Sequence, residues 1–235
     1  MSVKEAIILA GGKGTRLQSI LHDIPKCMAP VNGKPFLTYI IDYLIQSNIS
    51  KVIISVGYRK EYIISNLNTS YSEIEILFSQ EDVPLGTGGA IKAAMKYMET
   101  DLALVLNGDT FFRPDLNAML NMHTAQNADL TIAAKKMPDV SRYGTIISNE
   151  KGKIISFAEK NISSEAGLIN GGIYLIGNNL FDKFHAEVFS IENEFFKQKV
   201  NELHFQAFIS EAEFLDIGIP EDYKKAASII KFATK

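Results

Sequence analysis

The chain has 235 residues, is 46% hydrophobic and carries a formal net charge of −3. This length allows one large domain or two small ones, and the near-neutral charge argues against nonspecific binding to nucleic acid or to an anionic membrane. No apolar run approaches the roughly 20 residues that span a bilayer. The first residues lack the apolar region of a secretory signal, and the single cysteine, Cys27, cannot form an internal disulfide. We therefore expect a cytoplasmic protein with no nucleic-acid or membrane partner.

The first part of the chain alternates short apolar runs with helical patterns. An apolar run at residues 7–9 predicts a buried strand that opens into a glycine-rich turn, and three prolines between residues 25 and 35 forbid a regular helix there. Further strands are predicted at 51–56, 74–78, 102–106 and 129–134, and helices at 36–46, 60–67, 90–98 and 114–124. Such alternation predicts βαβ units, and therefore an α/β fold with a mainly parallel sheet flanked by helices.

The pattern changes after about residue 135. Short strands separated by turns are predicted at 143–148, 153–157 and 172–176, followed by a helix at 191–203, a strand at 205–209 and a closing helix at 222–232. These short strands indicate an antiparallel or mixed extension of the sheet that carries a second ligand. Since no repeat, linker or low-complexity segment separates the two parts, we expect a single domain over residues 1–235, with halves of about 1–135 and 136–235.

The glycine-rich turn carries the first functional signal. Three glycines at positions 11, 12 and 14 let backbone N–H groups surround an anion, and Lys13 and Arg16 add positive charge. The turn lacks the spacing of a Walker A loop, and Leu17 stands where a dinucleotide fingerprint requires its third glycine, which argues against an NAD-dependent dehydrogenase. A tight strand-to-helix turn would need fewer glycines, so the pattern favours a site for a polyphosphate.

Two aspartates follow apolar stretches. Asn107-Gly108-Asp109 ends the strand predicted at 102–106, at the carboxyl edge where open α/β sheets bind ligands. Asp216 follows another apolar stretch, and both segments are also ordinary turn sequences. Mg²⁺ commonly takes one or two carboxylates together with substrate phosphates. Asp216 is therefore a candidate second ligand beside Asp109, and Lys26, held by an irregular proline-rich segment, is a candidate cation.

Three further segments are ambiguous on local evidence. Gln80 and the run 84–89 can contact the edge of a nucleobase or simply form the start of a helix. Glu159 and Lys160 form either a surface charge pair or a contact to sugar hydroxyls and a phosphate monoester. The run 170–172 is either a turn or part of the same sugar site.

Together these segments resemble the sugar-1-phosphate nucleotidyltransferase family. The matching motifs occur in the family's order along most of the chain: Leu9-Ala10-Gly11-Gly12-Lys13-Gly14-Thr15-Arg16-Leu17, Pro25-Lys26, Leu85-Gly86-Thr87-Gly88-Gly89-Ala90, Asn107-Gly108-Asp109, Glu159-Lys160, Asn170-Gly171-Gly172 and Asp216-Ile217-Gly218. The resemblance implies a Rossmann-like fold of the glycosyltransferase A type. It also implies a reaction in which a sugar 1-phosphate attacks the α-phosphorus of a nucleoside triphosphate and releases pyrophosphate. The first half would then bind the nucleotide and the second half the sugar phosphate.

The resemblance also implies roles for individual residues. Catalysis would depend on Arg16, Lys26, Asp109, Lys160 and Asp216, with Mg²⁺ held by Asp109 and Asp216. The nucleotide would contact Leu9, Ala10, Gly11, Gly12, Lys13, Gly14, Thr15, Arg16, Lys26, Gln80, Pro84, Gly86, Thr87, Asn107, Gly108 and Asp109. The sugar pocket would be lined by Gly144, Glu159, Lys160, Asn170 and Gly171. Two residues depart from the family's usual pattern: Cys27 stands where proline is common, and Ile219 stands where threonine is common. Neither position is assigned a charged role in the reaction.

Within the family, residues 17–37 and 84–91 resemble the D-glycero-α-D-manno-heptose 1-phosphate guanylyltransferases, which make GDP-heptose for capsule or lipopolysaccharide biosynthesis. A cytidylyl-, uridylyl- or thymidylyltransferase acting on another sugar phosphate or phosphorylated acceptor is the main alternative. An alternative of another class is a non-catalytic nucleotide-sugar sensor. The presence of all five proposed catalytic residues argues against it. The sequence leaves the oligomeric state open, with a homodimer as one option.

Overall fold

The computed structural model of the protein describes residues 3–67, 71–158 and 165–233. The strands are β1 (Glu5–Leu9), β2 (Pro30–Val31), β3 (Lys34–Pro35), β4 (Lys51–Val56), β5 (Glu75–Gln80), β6 (Leu102–Asn107), β7 (Thr110–Phe112), β8 (Leu130–Met137), β9 (Thr145–Ser148), β10 (Ile154–Ala158), β11 (Gly167–Gly177), β12 (Phe205–Ile209) and β13 (Phe214–Asp216). The helices are α1 (Gln18–Leu21), α2 (Phe36–Gln46), α3 (Lys60–Asn66), α4 (Gly86–Ala94), α5 (Leu116–Ala125), α6 (Lys197–Lys199) and α7 (Pro220–Ala233). A π-helical turn, Ile191–Phe196, runs directly into α6.

One nine-stranded sheet runs through both halves of the chain. Strands β5, β4, β1 and β6 pair in parallel in that order, and β11 pairs antiparallel with β6, β8 and β9. β12 lies parallel to β8, and β10 pairs antiparallel with β9. The predicted mixed α/β sheet, parallel in the first half and extended antiparallel in the second, is confirmed.

The sheet is covered on both faces, which explains the apolar character of its strands. Ile8 belongs to the buried cluster that packs against α2, whereas its neighbour Ile7 belongs to a second cluster that includes Tyr174 and Phe196. Because side chains alternate across a strand, these two clusters lie on opposite faces of the sheet. Such strands are apolar on both sides, as expected for a parallel sheet covered by helices. Within the described residues, no helix is long and apolar enough to cross a membrane.

The start of α4 corrects one sequence prediction. Residues 85–89 were expected to form a loop before a helix at 90–98, yet α4 begins at Gly86 and ends at Ala94, with a 3-10 turn over Met95–Tyr97. The glycines are needed because another segment packs directly on this helix: a Cβ atom added at Gly88 would lie 2.0 Å from the ring of Phe189. Close packing against Phe189 therefore explains the glycine at position 88, in a run for which the sequence offered either a nucleobase contact or the start of a helix.

The run 170–172 is also not a turn. β11 continues through it, with a register shift between Asn170 and Ile173 where it pairs with β8. A β-bulge of this kind re-aims side chains without ending the strand. Asn170 accepts a hydrogen bond from Gly172 N through Oδ1 at 2.9 Å. The strand predicted at 172–176 therefore begins five residues earlier, at Gly167, and its bulge interrupts the regular spacing of two residues that would have shown its first part.

Candidate active site

A cavity of about 720 Å³ opens at the carboxyl ends of β1, β4, β5 and β6. Thirteen of the sixteen residues predicted to bind a nucleotide lie on its wall. They are Leu9, Ala10, Gly11, Gly12, Lys13, Gly14, Lys26, Pro84, Gly86, Thr87, Asn107, Gly108 and Asp109. Parallel strands place their carboxyl ends at one edge, so segments far apart in the sequence converge on this cavity.

The glycine turn is fixed to the sheet at its start. Ala10 N donates to Ser55 O at 2.8 Å, and Tyr58 N donates to Gly11 O at 3.2 Å. Gly14 has a φ of 59°, a left-handed conformation that favours glycine. A Cβ atom there would also lie 2.8 Å from Lys26 Cβ. The turn is thus held against the lysine that follows it.

Lys26 joins the two aspartates. Its ammonium forms a close ion pair with Asp109 Oδ2 and lies 3.9 Å from Asp216 Oδ1. Asp216 reaches this position because β13 pairs antiparallel with β7, in a register that places Asp216 opposite Thr110. Ile217 N donates to Asp109 O at 3.1 Å and extends this pairing. The sequence predicted neither of these three-residue strands, although it predicted that the two aspartates would meet.

The environment of Asp216 fits a cation. Burial and the negative charge of Asp109 raise the pKa of the Asp216 carboxyl above its ordinary value, and the Lys26 charge partly offsets this. Asp216 Oδ1 is buried and lacks a hydrogen-bond partner among the described residues. A buried acceptor without a donor is costly unless something binds it. Asp109 lines the first cavity, whereas Asp216 lies behind it, beside Lys26, and lines neither cavity. One or two carboxylates, together with substrate phosphates, are the usual ligands of Mg²⁺.

Three predicted nucleotide ligands lie away from the cavity wall. Thr15 and Arg16 belong to an exposed 3-10 turn whose buried residue is Leu17, so their contact with a nucleotide stays a prediction. Gln80 is exposed at the end of β5, while its neighbour Glu81 lines the cavity. Adjacent side chains of a strand point to opposite faces, and the contact of Gln80 with a base stays a prediction.

Glu81 is a cavity residue that sequence analysis missed. Its Oε1 accepts a hydrogen bond from Ser55 Oγ at 3.0 Å, and its Oε2 accepts one from Leu85 N at 3.0 Å. Glu81 therefore ties β4 to the segment that leads into α4. Extending the predicted strand from residue 78 to residue 80 would have placed Glu81 directly after the strand, at the edge where the cavity opens.

A second cavity of about 440 Å³ adjoins the first and shares two residues with it, Asn107 and Glu192. Its other lining residues are Tyr143, Gly144, Thr145, Phe157, Ala158, Asn170, Asn193 and Lys197. Of the predicted sugar ligands, Gly144 and Asn170 lie on this wall and Gly171 does not. Glu159 and Lys160 lie outside the described residues.

The other residues of the second cavity carried no recognisable motif. Tyr143, Thr145, Asn193 and Lys197 are polar or amphipathic side chains on short strands and turns. Their sequence spacing is irregular, and only the folded sheet brings them together. One of the supporting contacts is the ion pair of Arg142 with Asp222, at 2.5 Å, which links the segment before Gly144 to the first turn of α7.

Cys27, beside Lys26, is buried. Burial, together with the charge of Asp109, raises the pKa of its thiol to about 12. The Sγ atom donates a weak hydrogen bond to Ala10 O at 3.9 Å. Because the thiolate is the reactive form, a thiol with this pKa is unreactive at neutral pH.

Comparison with known proteins identifies the family. The nucleotidyl transferase family model matches residues 5–231. D-glycero-alpha-D-manno-heptose 1-phosphate guanylyltransferase from Aneurinibacillus thermoaerophilus is 45% identical over 94% of this chain and 96% of the relative, and its counterpart from Campylobacter jejuni is 46% identical over 93% and 96%. The crystal structure of HddC from Yersinia pseudotuberculosis complexed with GMP-PN superposes with a TM-score of 0.85 at 37% identity, covering 98% of this chain and all of that one. This chain belongs to the nucleotidyl transferase family.

Proposed function

We propose that this protein joins a guanosine monophosphate unit from GTP to D-glycero-α-D-manno-heptose 1-phosphate, with release of pyrophosphate. The observation that carries the chemistry is the cluster of Lys26, Asp109 and Asp216. Lys26 and Asp109 line the first cavity, and Asn107, two residues before Asp109, lines both cavities. The names of the two heptose 1-phosphate guanylyltransferases, and the guanine nucleotide in the HddC complex, support the choice of substrates.

The reaction requires positioning and charge neutralisation. A sugar-phosphate oxygen attacks the α-phosphorus of the triphosphate in line, the bond to the β-phosphate oxygen breaks, and pyrophosphate leaves. The attacking phosphate monoester is already an anion, so a general base is not required. Each substrate bound in its own cavity would present its phosphate at the shared boundary, which converts a bimolecular encounter into an oriented one.

The first cavity would bind the triphosphate. The backbone N–H groups of the turn at residues 11–14 would contact its phosphates, and Lys13 and Lys26 would neutralise charge that moves onto the departing pyrophosphate. Asp109 and Asp216 would hold Mg²⁺, which supplies Lewis-acid neutralisation of the phosphate oxygens when it is bound. Arg16 is proposed to approach the triphosphate from its exposed turn.

The second cavity would bind the sugar phosphate. Asn170 offers an amide and the segment at Gly144 offers backbone groups to sugar hydroxyls. Glu159 and Lys160 directly follow the cavity residue Ala158, and we retain them as proposed ligands of the sugar and its phosphate. The continuous sheet through both halves supports a single domain, and the triphosphate substrate supports a cytoplasmic location.

Substrate choice is tested with a matrix of ATP, CTP, GTP, UTP and dTTP against several sugar 1-phosphates, with pyrophosphate release as the readout. GTP with the heptose 1-phosphate is expected to turn over fastest. Faster turnover of CTP, UTP or dTTP with another acceptor would contradict the proposed substrates but not the reaction. A protein that binds nucleotides yet shows no turnover with any pair would be a sensor rather than an enzyme.

Metal dependence is tested separately. Chelation is expected to abolish turnover, and addition of Mg²⁺ is expected to restore it more fully than Ca²⁺, whose longer and more variable coordination suits this reaction less well. Full activity after chelation would contradict the proposed Mg²⁺ site.

A further inference from the structure

Glu192 occupies the boundary between the two cavities and contributes to both walls. It lies on the π-helical turn Ile191–Phe196, an element that occurs frequently at functional sites. No motif in the sequence marks this residue, and the proposed reaction as described above does not use it.

The backbone around Glu192 is fixed to the start of α4. Phe189 N donates to Leu85 O at 2.9 Å, and Gly88 N donates to Phe189 O at 2.9 Å. Ile191 N donates to Thr87 Oγ1, also at 2.9 Å. The position of the Glu192 side chain is therefore set by the nucleotide half, although the residue follows β11 in the other half.

Three hydroxyl groups surround the Glu192 carboxylate. Thr87 Oγ1 donates to Oε2 at 3.3 Å and Ser190 Oγ donates to the same atom at 3.4 Å. Tyr174 OH donates to Oε1 at 3.2 Å and itself accepts from Asn170 Nδ2 at 2.9 Å. A chain of hydrogen bonds thus runs from Asn170 in the second cavity to Thr87 in the first, with Glu192 in the middle.

This carboxylate has capacity to accept a further hydrogen bond. An ionised carboxylate has about four acceptor positions, and its three hydroxyl contacts are longer than the roughly 2.7–2.8 Å typical of O–H···O bonds. Tyr174 is fully buried, and burial together with the Glu192 charge raises the pKa of its phenol well above the ordinary value. The phenol is therefore a constant donor, which orients Oε1 at the edge of the second cavity.

We propose that Glu192 is a specificity-determining residue whose carboxylate accepts a hydrogen bond from a hydroxyl of the sugar phosphate. This inference rests on the proposed function and assigns one contact within it. The second cavity is favoured over the ribose side because Asn193 and Lys197, which follow Glu192 on the same helical segment, line only that cavity. A ring rich in hydroxyl donors is the ligand chemistry that a fixed carboxylate selects.

The test compares Glu192→Gln, which keeps size but removes charge, with Glu194→Gln as a matched control. Glu194 lies on the same turn, accepts from Ser190 N at 2.6 Å and lines neither cavity. Loss of a hydrogen bond to a charged group corresponds to roughly tenfold or more in binding. We expect Glu192→Gln to raise the KM for the sugar phosphate by about that factor, with the KM for GTP changed by less than about threefold.

A panel of monodeoxy sugar 1-phosphates identifies the hydroxyl. One analogue is expected to bind wild type about tenfold more weakly than the parent sugar. Glu192→Gln is expected to discriminate less between that analogue and the parent, because its uncharged amide oxygen accepts a weaker hydrogen bond. The control variant should discriminate as wild type does. Calorimetry measures the binding of the same sugar phosphates even if no nucleotide is turned over. Failure of the proposed reaction can therefore be distinguished from failure of the Glu192 contact.

Three outcomes would overturn the inference. Sugar-phosphate binding by Glu192→Gln could equal that of wild type, the KM for GTP could rise alone, or both KM values could rise equally as expected of a purely bracing residue. If Glu192→Gln proves unstable in thermal unfolding, Glu192→Asp keeps the charge but retracts it. If Glu192→Asp discriminated against the same monodeoxy analogue as strongly as wild type does, the proposed contact would be overturned as well.

Discussion

The two cavities are built in different ways. Six of the residues that line the first cavity are glycines, from the turn after β1, the segments that follow β4 and β6 and the start of α4, and glycines leave their backbone accessible. The second is lined by side chains such as Tyr143, Asn170, Asn193 and Lys197, which come from separate strands and turns. Backbone amides bind a phosphate chain without regard to what the phosphate carries. Side-chain groups at fixed positions can distinguish one sugar from another.

This difference predicts where substitutions act. Changes in the cluster of Lys26, Asp109 and Asp216 should stop the reaction for every substrate pair. Changes in the glycine turn should weaken the binding of the triphosphate, and changes in the second cavity should alter which sugar phosphate is accepted. The following predictions run from the largest expected effect to the smallest.

Asp109→Asn is expected to lower turnover roughly 100- to 1000-fold, the range for loss of a group that organises developing charge. The substitution removes a proposed Mg²⁺ ligand, so the loss of turnover should be the same for every nucleotide and sugar phosphate. Pyrophosphate release measures turnover, and thermal unfolding checks the fold. Asp101→Asn is the control because Asp101 directly precedes β6 whereas Asp109 follows it. Unchanged turnover in Asp109→Asn would contradict the metal assignment.

Lys26→Met is expected to lower turnover about 100-fold and to tighten the binding of Mn²⁺ in the absence of nucleotide. The ammonium of Lys26 lies between the carboxylates of Asp109 and Asp216, so it competes with a divalent cation for the same charges. Titration of Mn²⁺ followed by electron paramagnetic resonance measures the affinity. Lys13→Met removes the same charge from the same cavity, but Lys13 forms no ion pair with either aspartate. Weaker Mn²⁺ binding in Lys26→Met alone would show that the lysine organises the site instead.

Gly12→Ala is expected to raise the KM for GTP roughly tenfold, as for one lost bond to a charged ligand, without lowering Tm. Among the described residues, leaving aside its two chain neighbours, a Cβ atom at Gly12 would meet no atom within 4 Å. Any loss of affinity for GTP would therefore arise because the added Cβ atom obstructs the triphosphate. Thermal unfolding and steady-state kinetics separate the two effects. A drop in Tm with unchanged KM would assign this glycine to folding.

Gly88→Ala is the contrasting case, because here the protein itself fills the space. The added Cβ would lie 2.0 Å from the ring of Phe189, which is 2% exposed and packs against Phe181 and Phe184. Overpacking of this kind costs about 1–3 kcal/mol, or roughly 2–4 °C in Tm for each kcal/mol in a protein of this size. Differential scanning calorimetry checks the prediction, and an unchanged Tm would show that the aromatic cluster adjusts.

Asp216→Asn is expected to raise Tm slightly in the presence of a chelator at neutral pH. The pKa of Asp216 is raised in the folded protein by burial and by Asp109, so its ionised form is less favourable in the folded state than in the unfolded state. This destabilisation is present above the folded-state pKa and disappears as the pH falls below the unfolded value. The gain from the substitution should therefore disappear in acid. A gain of equal size at all pH values would contradict this explanation.

The sequence by itself determined the family, the mixed α/β sheet and most of the first cavity. These depend on local signals, namely apolar strands, the spacing of glycines and the order of short motifs, and such signals encode backbone conformation directly. The strand that ends at Asn107 and the turn at residues 11–14 needed no knowledge of distant contacts.

The tertiary structure alone decided three things. The pairing of β7 with β13 brings Asp216 to Asp109, the packing of Phe189 on Gly88 starts α4 early, and Glu192 meets Thr87 across 105 positions of sequence. Three-residue strands and single side-chain contacts have no periodicity to detect. Their positions follow from the packing of the whole sheet, because each contact forms only when both partners are already held by their own elements.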